Sequence, residues 1–383
     1  MRIMHVITGL DTGGAEMMLS KLLSATNGGF SHVVVSLAGE GTLGPQILKL
    51  GIPVHSQHFR RAGAPNPLRA LSIVRLARHF RPQIIQGWML HGNLMASLAG
   101  VGLSPRAPVL WNVRMSLDDI AAVPRLTAAA IRVGALLSRY PAAIIYNSHI
   151  GAHQHEALGY HPGKRVVIPN GFDCQLFRPH DPSRQQARAE LGISDETIVV
   201  GLIGRYDPMK DHAGFLHAAA AVARAHPTTR FLLAGSGVTG QEPKLQNLIA
   251  ELGLHGRVLL LGERSDMPRI NAVLDIACSS SWSEGFPNSI GEAMACGVPC
   301  VVTCVGDSDY LVGDTGLAVP ARNPQALAQA ICQLIEAGPA ARRQLGAAAR
   351  RRIESEFSLP AIARRYEELY RGYLEPPKAR SIP

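Results

Sequence analysis

Short apolar runs alternate with longer amphipathic segments along almost the whole chain. Such runs suit strands of a parallel sheet covered on both faces, and the segments between them suit helices. In the first half the pattern predicts strands at 3–7, 32–37, 83–86, 109–112 and 143–146. In the second half it predicts strands at 198–203, 230–234, 258–261, 276–279 and 300–303, with helices such as 213–225 and 325–337. The predicted class is α/β, with two doubly wound, Rossmann-like domains that face a cleft.

A cluster of turn-forming residues lies between the two halves. Pro169, Asn170, Gly171 and Pro179 interrupt the pattern where the chain would cross from one sheet to the next. We therefore predict a first domain at 1–170 and a second domain at 171–357. The helical pattern at 358–373 predicts a C-terminal helix that packs back on the first domain, and the tail at 374–383 is expected to be disordered.

The composition is that of a soluble α/β protein. With 383 residues, of which 46% are hydrophobic, the chain can bury a large core. No apolar run reaches the roughly 18–20 residues that span a bilayer, and the first predicted strand follows Met1 in place of a signal peptide. The six cysteines lack the paired spacing of zinc sites and are interpreted as small buried hydrophobes. These features predict a cytoplasmic protein.

The net charge of +9 belongs to the first half of the chain. Residues 1–170 hold 16 Lys and Arg against 6 Asp and Glu, whereas the remainder holds 22 against 23. The arginines gather in two groups, Arg60, Arg61, Arg69, Arg75, Arg78 and Arg81, and then Arg125, Arg132 and Arg139, which are spaced by sevens near one helix face. Such a face fits anionic lipid or a phosphate-bearing acceptor, and ordinary solvation is the alternative. Nucleic acid is disfavoured because aromatic residues make up only 5% of the chain.

Two carboxylates flank the predicted start of a short helix, with Glu284 before it and Glu292 inside it. Pro287 suits an early helical position, and Asn288 or Ser289 suits a cap. The N–H groups and positive dipole end at a helix start can hold phosphate, while carboxylates accept hydrogen bonds from sugar hydroxyls. The segment also follows a predicted buried strand, at the edge where open α/β sheets bind ligands. These features favour a nucleotide-sugar site over a chance pair of surface glutamates.

Two further loops follow predicted strands and carry residues suited to phosphate. Gly13 and Gly14 follow the first strand, where the lack of side chains lets a diphosphate or a sugar approach the backbone. Arg205 and Lys210 follow a strand of the second half and can converge on phosphate oxygens. The alternatives are a common tight turn at the glycines and ion pairing of the two cations with neighbouring aspartates.

In this order the motifs resemble those of retaining glycosyltransferases of the GT-B fold, specifically the large "group 1" family four. The resemblance covers nearly the entire chain, and its most specific part is the E-x7-E segment from Glu284 to Glu292. The other matching motifs are Gly13-Gly14-Ala15-Glu16, Ile168-Pro169-Asn170-Gly171 and Gly204-Arg205 with Lys210. The match is looser in the first domain, as is usual where acceptors differ.

The resemblance implies a nucleoside diphosphate sugar donor, with UDP or GDP, held mainly by the second domain. Arg205 and Lys210 would contact the diphosphate, and Glu292 the ribose. Glu284 would contact hydroxyls of a transferred hexose-type sugar. The remaining contacts around the helix start are expected from Phe286, Pro287, Asn288, Ser289 and Ile290.

From the first domain, His91 matches the family's histidine near the reacting sugar, and Arg114 is a further candidate for substrate contact. Arg264 of the second domain is another candidate. Since no carboxylate is placed as a nucleophile, the family's front-face departure with retention is expected, without an obligatory metal or other cofactor. The acceptor is expected to be a saccharide or lipid-linked saccharide in cell-envelope or exopolysaccharide synthesis. The protein would then lie in the cytoplasm, with peripheral association at the inner face of the membrane.

Other motifs leave two alternatives open. Gly235, Gly237 and Gly240 spell the dinucleotide fingerprint after a predicted strand, so an NAD-dependent oxidoreductase is the first alternative. The second is a non-catalytic protein of the same fold that binds nucleotide sugar. The sequence from Asp307 to Asp309 imitates the metal-binding D-x-D of the other glycosyltransferase fold, but that fold would leave the E-x7-E segment unexplained.

Overall fold

The chain forms two compact units. The computed structural model describes residues 1–58, 60–61, 64–65, 68–117 and 124–374, and the side chains at 59–69 lie outside the description. The first unit contains Met1–Gly171 and the chain from Leu359 onward, and the second contains Phe172–Ser358. The tail that is predicted to be disordered lies, from residue 375, outside the described residues.

A parallel sheet forms the centre of each unit. The strands are β1 (Arg2–Ile7), β2 (Ser31–Ser36), β3 (Val54–Ser56), β4 (Arg60–Arg61), β5 (Ala64–Pro65), β6 (Ile84–Trp88), β7 (Val109–Val113), β8 (Ala143–Tyr146), β9 (Arg165–Val167), β10 (Val199–Ile203), β11 (Arg230–Ala234), β12 (Val258–Leu260), β13 (Ile276–Ser279), β14 (Cys300–Thr303) and β15 (Gly316–Val319). The first unit has the order β3-β2-β1-β6-β7-β8-β9, and the second has β12-β11-β10-β13-β14-β15. Strands β4 and β5 form a separate antiparallel pair.

Helices connect the strands of both sheets. They are α1 (Gly14–Thr26), α2 (Gly44–Lys49), α3 (Leu68–Phe80), α4 (Met89–Val101), α5 (Arg125–Leu137), α6 (His149–Ala157), α7 (Asp181–Glu190), α8 (His212–Ala225), α9 (Pro243–Glu251), α10 (Met267–Val273), α11 (Asn288–Ala295), α12 (Ser308–Val312), α13 (Pro324–Glu336), α14 (Gly338–Arg352) and α15 (Leu359–Gly372). The predicted α/β class with two Rossmann-like domains is confirmed. Within the described residues, no helix combines the length and apolar character needed to cross a bilayer.

Three short strands at the sheet edges, β3, β9 and β15, were not predicted. Val166 and Val167 come shortly before the turn cluster between the domains and lie in β9, where Val166 pairs with Ile145 of β8. Each of the three strands has only three or four residues. A run that short carries too few positions to show a period, and an edge strand is not buried on both sides.

Polar side chains in the core of the first unit form one hydrogen-bonded chain. The indole Nε1 of Trp88 donates to His5 Nδ1 at 3.2 Å, so the other ring nitrogen of His5 carries the hydrogen that His32 Nδ1 accepts at 3.1 Å. His32 Nε2 then lies 3.0 Å from Thr26 Oγ1. Burial lowers the pKa of His5 far below its ordinary value, and that of His32 to about 4. Both imidazoles are therefore neutral structural links between β1, β2 and β6.

The C-terminal helix α15 completes the core of the first unit. Tyr366 and Tyr370 are fully buried, and the Tyr366 ring stacks on Trp88 with centroids 6.4 Å apart. The Tyr370 hydroxyl donates to Gln86, and Asn112 Nδ2 donates to the Tyr366 hydroxyl at 2.9 Å. This helix is therefore an integral layer of the first unit, although it follows the second unit in the chain.

The strand order of each sheet reverses direction at one position. In the first unit, β2 and β3 extend from one side of β1 while β6 and the later strands extend from the other. In the second unit the same reversal lies between β10 and β13. The loops that leave the carboxyl ends of such neighbouring strands diverge, and open α/β sheets bind ligands in the crevice between them.

Candidate functional site

Two loops meet at the strand-order reversal of the second unit. One follows β10 and contains residues 204–211, and the other follows β13 and contains residues 280–287. The Trp282 N–H donates to the Met209 carbonyl at 3.0 Å, and its indole Nε1 donates to the Pro208 carbonyl at 2.8 Å. Ser280 Oγ donates to the Lys210 carbonyl at 2.8 Å. These bonds hold the backbone of Lys210 against the second loop.

Lys210 and Glu284 form an ion pair between these loops. The Lys210 Nζ donates to Glu284 Oε1, which also accepts a hydrogen bond from Ser281 Oγ at 2.7 Å. The side chains of Lys210 and Glu284 are only 23% and 11% exposed. A small pocket at the carboxyl ends of β10 and β13 is lined by both residues together with Ser281 and Ser289. The sequence motifs therefore converge on one partly desolvated, charged pocket.

Glycines let two neighbouring turns approach this pocket closely. Gly306 has φ +55°, and a Cβ there would overlap the Glu284 carbonyl. The Asp307 N–H donates to the Gly285 carbonyl at 3.0 Å, which ties the turn after β14 to the Glu284 loop. Gly235 has φ +151°, and a Cβ there would overlap the Gly204 carbonyl. Only glycine fits these close approaches without displacing the backbone.

The turn at Gly235 does not have the form of a dinucleotide-binding turn. In that fingerprint the glycine turn opens the helix whose N-terminus holds the pyrophosphate. Here α9 begins at Pro243, three residues after Gly240, and Gly235 packs on the loop after β10. Gly235 and Gly237 therefore pack on the loop that carries Lys210, which removes the main support for an NAD-dependent oxidoreductase.

The start of α11 differs from the sequence prediction. Pro287, predicted at an early helical position, is the N-cap with extended backbone, and Asn288, predicted as a cap, is the first helical residue. Proline fits there because its φ of -77° lies in the range that the ring imposes, and its carbonyl accepts the first helical hydrogen bond, from Gly291 at 3.3 Å. Ser289 also lies inside the helix, on the wall of the pocket.

The apolar residues of this motif lie in the core of the second unit. Phe286 and Ile290 are 5% and 1% exposed, and Phe286 stacks on Phe172 with centroids 6.2 Å apart. A Cβ at Gly291 would overlap that Phe172 ring. Pro287 is buried as well, whereas Asn288, Ser289 and Glu292 are partly exposed. Any ligand contact by Phe286 or Ile290 would thus involve their backbone, while their side chains set the position of α11.

Arg205 and Arg264 each pair with an aspartate two residues away. Arg205 Nε donates to Asp207 Oδ2 at 3.0 Å, and 61% of the Arg205 side chain is exposed. Burial acts to raise the pKa of Asp207, but hydrogen bonds from the Met209 N–H and the Arg205 guanidinium lower it by more. The pKa of Asp207 therefore lies below its ordinary value. Arg264 makes a bidentate pair with Asp266, at 2.8 and 2.7 Å, which raises the pKa of Arg264 and lowers that of Asp266. The structure does not bring either arginine into the Lys210–Glu284 pair.

Two candidates of the first unit lie at the starts of helices. Gly13 is the N-cap of α1 and Gly14 its first residue, and the Glu16 carboxylate packs against Gly13. Burial raises the pKa of that carboxylate. His91, predicted in a loop, lies in the first turn of α4 with an exposed side chain. The helix begins at once after β6 because Met89 adopts φ +62°, which turns the chain without a loop.

Arg114 is held inside the first unit. Its Nη1 donates to Asn112 Oδ1 at 3.1 Å and to the Tyr366 hydroxyl at 3.0 Å, and its Nη2 donates to Asn170 Oδ1. The guanidinium also lies over the Trp88 ring, 5.7 Å from the centroid. These contacts join β7 to α15 and to the segment before Gly171. Arg114 is therefore a positioning residue for those elements in this structure.

Ser281 is a polar residue of the pocket that was not predicted from the sequence. Its hydroxyl donates to Glu284, and its carbonyl accepts a hydrogen bond from Thr303 Oγ1 at 2.5 Å. A signal was present, because three consecutive serines at 279–281 end a buried strand just before the Glu284 loop. Polar residues at the carboxyl end of an otherwise apolar strand indicate a ligand-facing position.

Comparisons with known proteins agree with the fold of the two units. Residues 197–337 match the family described as "Glycosyl transferases group 1", and residues 13–171 match the "Glycosyl transferase 4-like domain". The D-inositol 3-phosphate glycosyltransferase of Mycobacterium sp. (strain KMS) is 34% identical over 209 residues, which is 52% of this chain and 46% of that protein. The chain spans about half the length of several such curated relatives.

A longer match and a solved structure complete the comparison. The D-inositol 3-phosphate glycosyltransferase of Corynebacterium aurimucosum is 30% identical over 293 residues, 74% of this chain and 68% of that protein. The crystal structure of HepE from Anabaena in complex with UDP-glucose has a TM-score of 0.81 and 25% identity, over 97% of this chain and 99% of that chain. With both Rossmann-like units matched, the chain belongs to the group 1 glycosyl transferases.

Proposed function

We propose that the chain is a retaining glycosyltransferase that moves a hexose-type sugar from a UDP- or GDP-sugar to a saccharide or lipid-linked saccharide. The observation that carries this proposal is the Lys210–Glu284 pair beside Ser289 at the strand-order reversal of the second unit. A cation and a helix start suit the diphosphate, and a carboxylate suits sugar hydroxyls. The UDP-glucose complex of HepE supports a donor of this class.

The main chemical task of such a site is to stabilise the negative charge that develops on the diphosphate leaving group. In the transfer the bond from the sugar C1 to the diphosphate oxygen breaks and a bond from C1 to the acceptor oxygen forms. The acceptor's proton passes to a donor phosphate oxygen on the same face of the sugar, which retains the configuration. We assign Lys210 to the diphosphate in the transition state, with Arg205 after release from Asp207, and no metal ion is required.

Glu284 is proposed to orient the sugar and not to attack it. Its Oε1 is already bound by the Lys210 ammonium and by Ser281 Oγ, and both bonds reduce the nucleophilicity of a carboxylate. A hydrogen bond from a sugar hydroxyl requires only an accepting oxygen. Glu292, one turn into α11 and partly exposed, is assigned to the ribose. These assignments agree with front-face departure of the diphosphate.

The first unit is proposed to supply His91 and the Gly13–Gly14 turn. His91 is exposed at the carboxyl end of β6, and the two glycines open α1 at the carboxyl end of β1. These strands flank the strand-order reversal of the first sheet. We assign His91 to the transferred sugar and the glycine turn to the donor or the acceptor.

A titration and an acceptor-free reaction test the proposed activity. UDP or GDP should bind with a calorimetric signal, while NAD should not. Incubation with UDP-glucose, and separately with a GDP-hexose, should release the nucleotide slowly into water, and retention predicts that NMR detects the free sugar first in the donor's own anomeric form. Binding of NAD alone would favour an oxidoreductase, and nucleotide binding without any transfer or hydrolysis would favour a non-catalytic protein.

Helix α5 carries the features of a membrane contact, which would suit a lipid-linked acceptor in cell-envelope or exopolysaccharide synthesis. Leu126 and Leu136 are 75% and 82% exposed, next to the exposed Arg125 and Arg132 on the same helix. Exposed leucines beside arginines insert at the headgroup level of anionic bilayers. We propose that this face rests on the inner surface of the membrane.

Vesicle binding tests the membrane contact. The protein should sediment with vesicles that contain phosphatidylglycerol and much less with pure phosphatidylcholine, because each arginine near the surface contributes about 1 kcal/mol. The L126Q/L136Q variant should lose most of this binding at low salt. R343Q/R351Q, which removes two exposed arginines from α14, is the control with unchanged binding. Equal sedimentation of the wild-type protein with both vesicle types would contradict the proposal.

A further inference from the structure

A large groove lies at the amino-terminal ends of the strands of the first unit. It is about 900 Å³ in volume and follows the starts of β1, β6 and β7. Its walls include four arginines, Arg2, Arg78, Arg81 and Arg106. The carboxyl ends of β1 and β6, where His91 and the Gly13–Gly14 turn lie, are at the opposite edge of the same sheet. The groove is therefore separate from the site proposed for sugar transfer.

The charged side chains that line this groove are all positive. None of the residues that line it is an aspartate or a glutamate. Among the ion pairs of the described residues, none involves these four arginines. Four guanidinium groups around one concave surface repel each other unless an anion lies between them.

Backbone contacts hold two of the guanidinium groups in place. Arg2 Nε donates to the Arg81 carbonyl at 2.9 Å, and Arg78 Nε donates to the Gly102 carbonyl at 2.9 Å. The negative ends of helices α3 and α4 lie at this edge and account for these two bonds. Each bond uses the inner nitrogen of its guanidinium. The two terminal nitrogens, which form the fork that binds phosphate, are not used in these bonds.

The backbone of the groove is stiff. Arg81 has φ +51° directly after α3, a position where glycine is the usual residue. Pro82, Pro105 and Pro108 line the same groove and fix their own φ angles. A rigid wall reduces the ordering cost of binding, so the arginines are preorganised for a ligand.

We infer that this groove binds an anion with two or more phosphate charges. Bidentate pairing of guanidinium with phosphate oxygens fits the exposed arginines, and the volume accommodates a di- or triphosphate group with the molecule that bears it. The phosphates come either from a free oligophosphate or from a phosphorylated lipid headgroup. This site is additional to the donor site and independent of the proposed activity.

Inorganic triphosphate is the probe for the site. Calorimetry on the full chain with the donor site saturated by UDP should give one binding site, together with a fall in affinity as salt rises. The R78Q/R106Q variant should bind triphosphate at least tenfold more weakly, since it removes two of the four charges. R75Q/R364Q, which removes two exposed arginines of the same unit outside the groove, should bind as the wild type does. The UDP titration should be the same in all three proteins.

The source of the phosphate is resolved by competition. Vesicles that contain a phosphoinositide should displace triphosphate if the ligand is a headgroup, whereas a free ligand predicts that they do not. Absence of triphosphate binding, or equal weakening in R78Q/R106Q and R75Q/R364Q, would overturn the inference. UDP binding is measured on the same samples. Loss of triphosphate binding at the groove is therefore distinguished from loss of nucleotide binding at the proposed donor site.

Discussion

Replacement of Lys210 by alanine is expected to lower the rate of sugar transfer by about 10²–10³-fold, the loss of about 3 to 4 kcal/mol that follows removal of one well-placed charge-stabilising donor. The ammonium group is held beside Glu284 at the end of β10, at 23% exposure, where water screens its charge only in part. The effect should appear in kcat more than in KM, because the charge on the diphosphate grows as the bond to the sugar breaks. K244A, at an exposed position of α9, is the control with normal kcat.

The variants at Glu284 distinguish an orienting role from a nucleophilic one. E284A should lower transfer as strongly as K210A, because the acceptor for a sugar hydroxyl is lost and Lys210 loses its partner. E284Q keeps an accepting oxygen for Ser281 and for the sugar, so it should retain measurable transfer. S281A removes one neutral hydrogen bond, worth about 1 kcal/mol, and should cost about fivefold.

Two results would contradict this account. Near-normal turnover in purified K210A or E284A would exclude the pocket as the transfer site. An E284Q variant as inactive as E284A, together with a covalent sugar adduct on the wild-type protein detected by mass spectrometry, would show that Glu284 acts as a nucleophile. Circular dichroism of each variant verifies that the fold is retained, so that a lost activity is assigned to the pocket and not to unfolding.

The loops of the pocket were predictable, but the pairing inside it was not. Strands β10 and β13 are apolar runs, and polar residues after such runs fall at one edge of a parallel sheet. The contact between Lys210 and Glu284 joins residues 74 positions apart. It depends on β13 lying next to β10, and a one-dimensional pattern does not specify strand order. For Arg205 the alternative named from the sequence, ion pairing with a neighbouring aspartate, is the one that the structure shows, since Arg205 Nε donates to Asp207 Oδ2.

The motif around α11 shows a second limit. Phe286, Ile290 and Met294 follow each other at intervals of four, which is the spacing of a buried helix face. All three are buried in the core of the second unit. Phe286 and Ile290 also belong to the E-x7-E segment that the resemblance assigns to substrate. The helical period alone would have assigned Phe286, Ile290 and Met294 to the buried face of the helix. It would have assigned Asn288, Ser289 and Glu292 to the opposite, partly exposed face.

Replacement of Asp275 by alanine is expected to destabilise the second unit by about 3 to 5 kcal/mol, the cost of leaving a buried charge without its partner. Asp275 Oδ2 accepts hydrogen bonds from Arg188 Nη1 at 3.3 Å and from the Val199 N–H at 2.8 Å, and Oδ1 accepts one from Arg184 Nη2 at 2.6 Å. Arg188 is only 1% exposed. Its burial, with the nearby Arg184, lowers its pKa, and Asp275 acts against that change.

An exposed pair in the same unit provides the matched control. Arg264 and Asp266 have better geometry, with two short hydrogen bonds, but their side chains are 38% and 27% exposed. Because water solvates both partners after one is removed, D266A should cost less than about 1 kcal/mol. Hydrogen exchange measured by mass spectrometry reports the stability of the second unit separately from that of the first, through the protection of amides in β10 and α7. The D275A variant should lose protection in these elements, and D266A should not.

Removal of both charges tests whether the loss comes from the unpaired arginine. In R188M/D275L the buried guanidinium and its carboxylate are replaced by apolar side chains, so no buried charge remains at Arg188. We expect this double variant to recover a large part of the stability that D275A loses, although Arg184 keeps its backbone contacts to Ala272 and Leu274. Two results would contradict this explanation: D275A no less stable than D266A, or a double variant as unstable as D275A. Either result would show that Asp275 does not stabilise this unit by compensating the buried charge of Arg188.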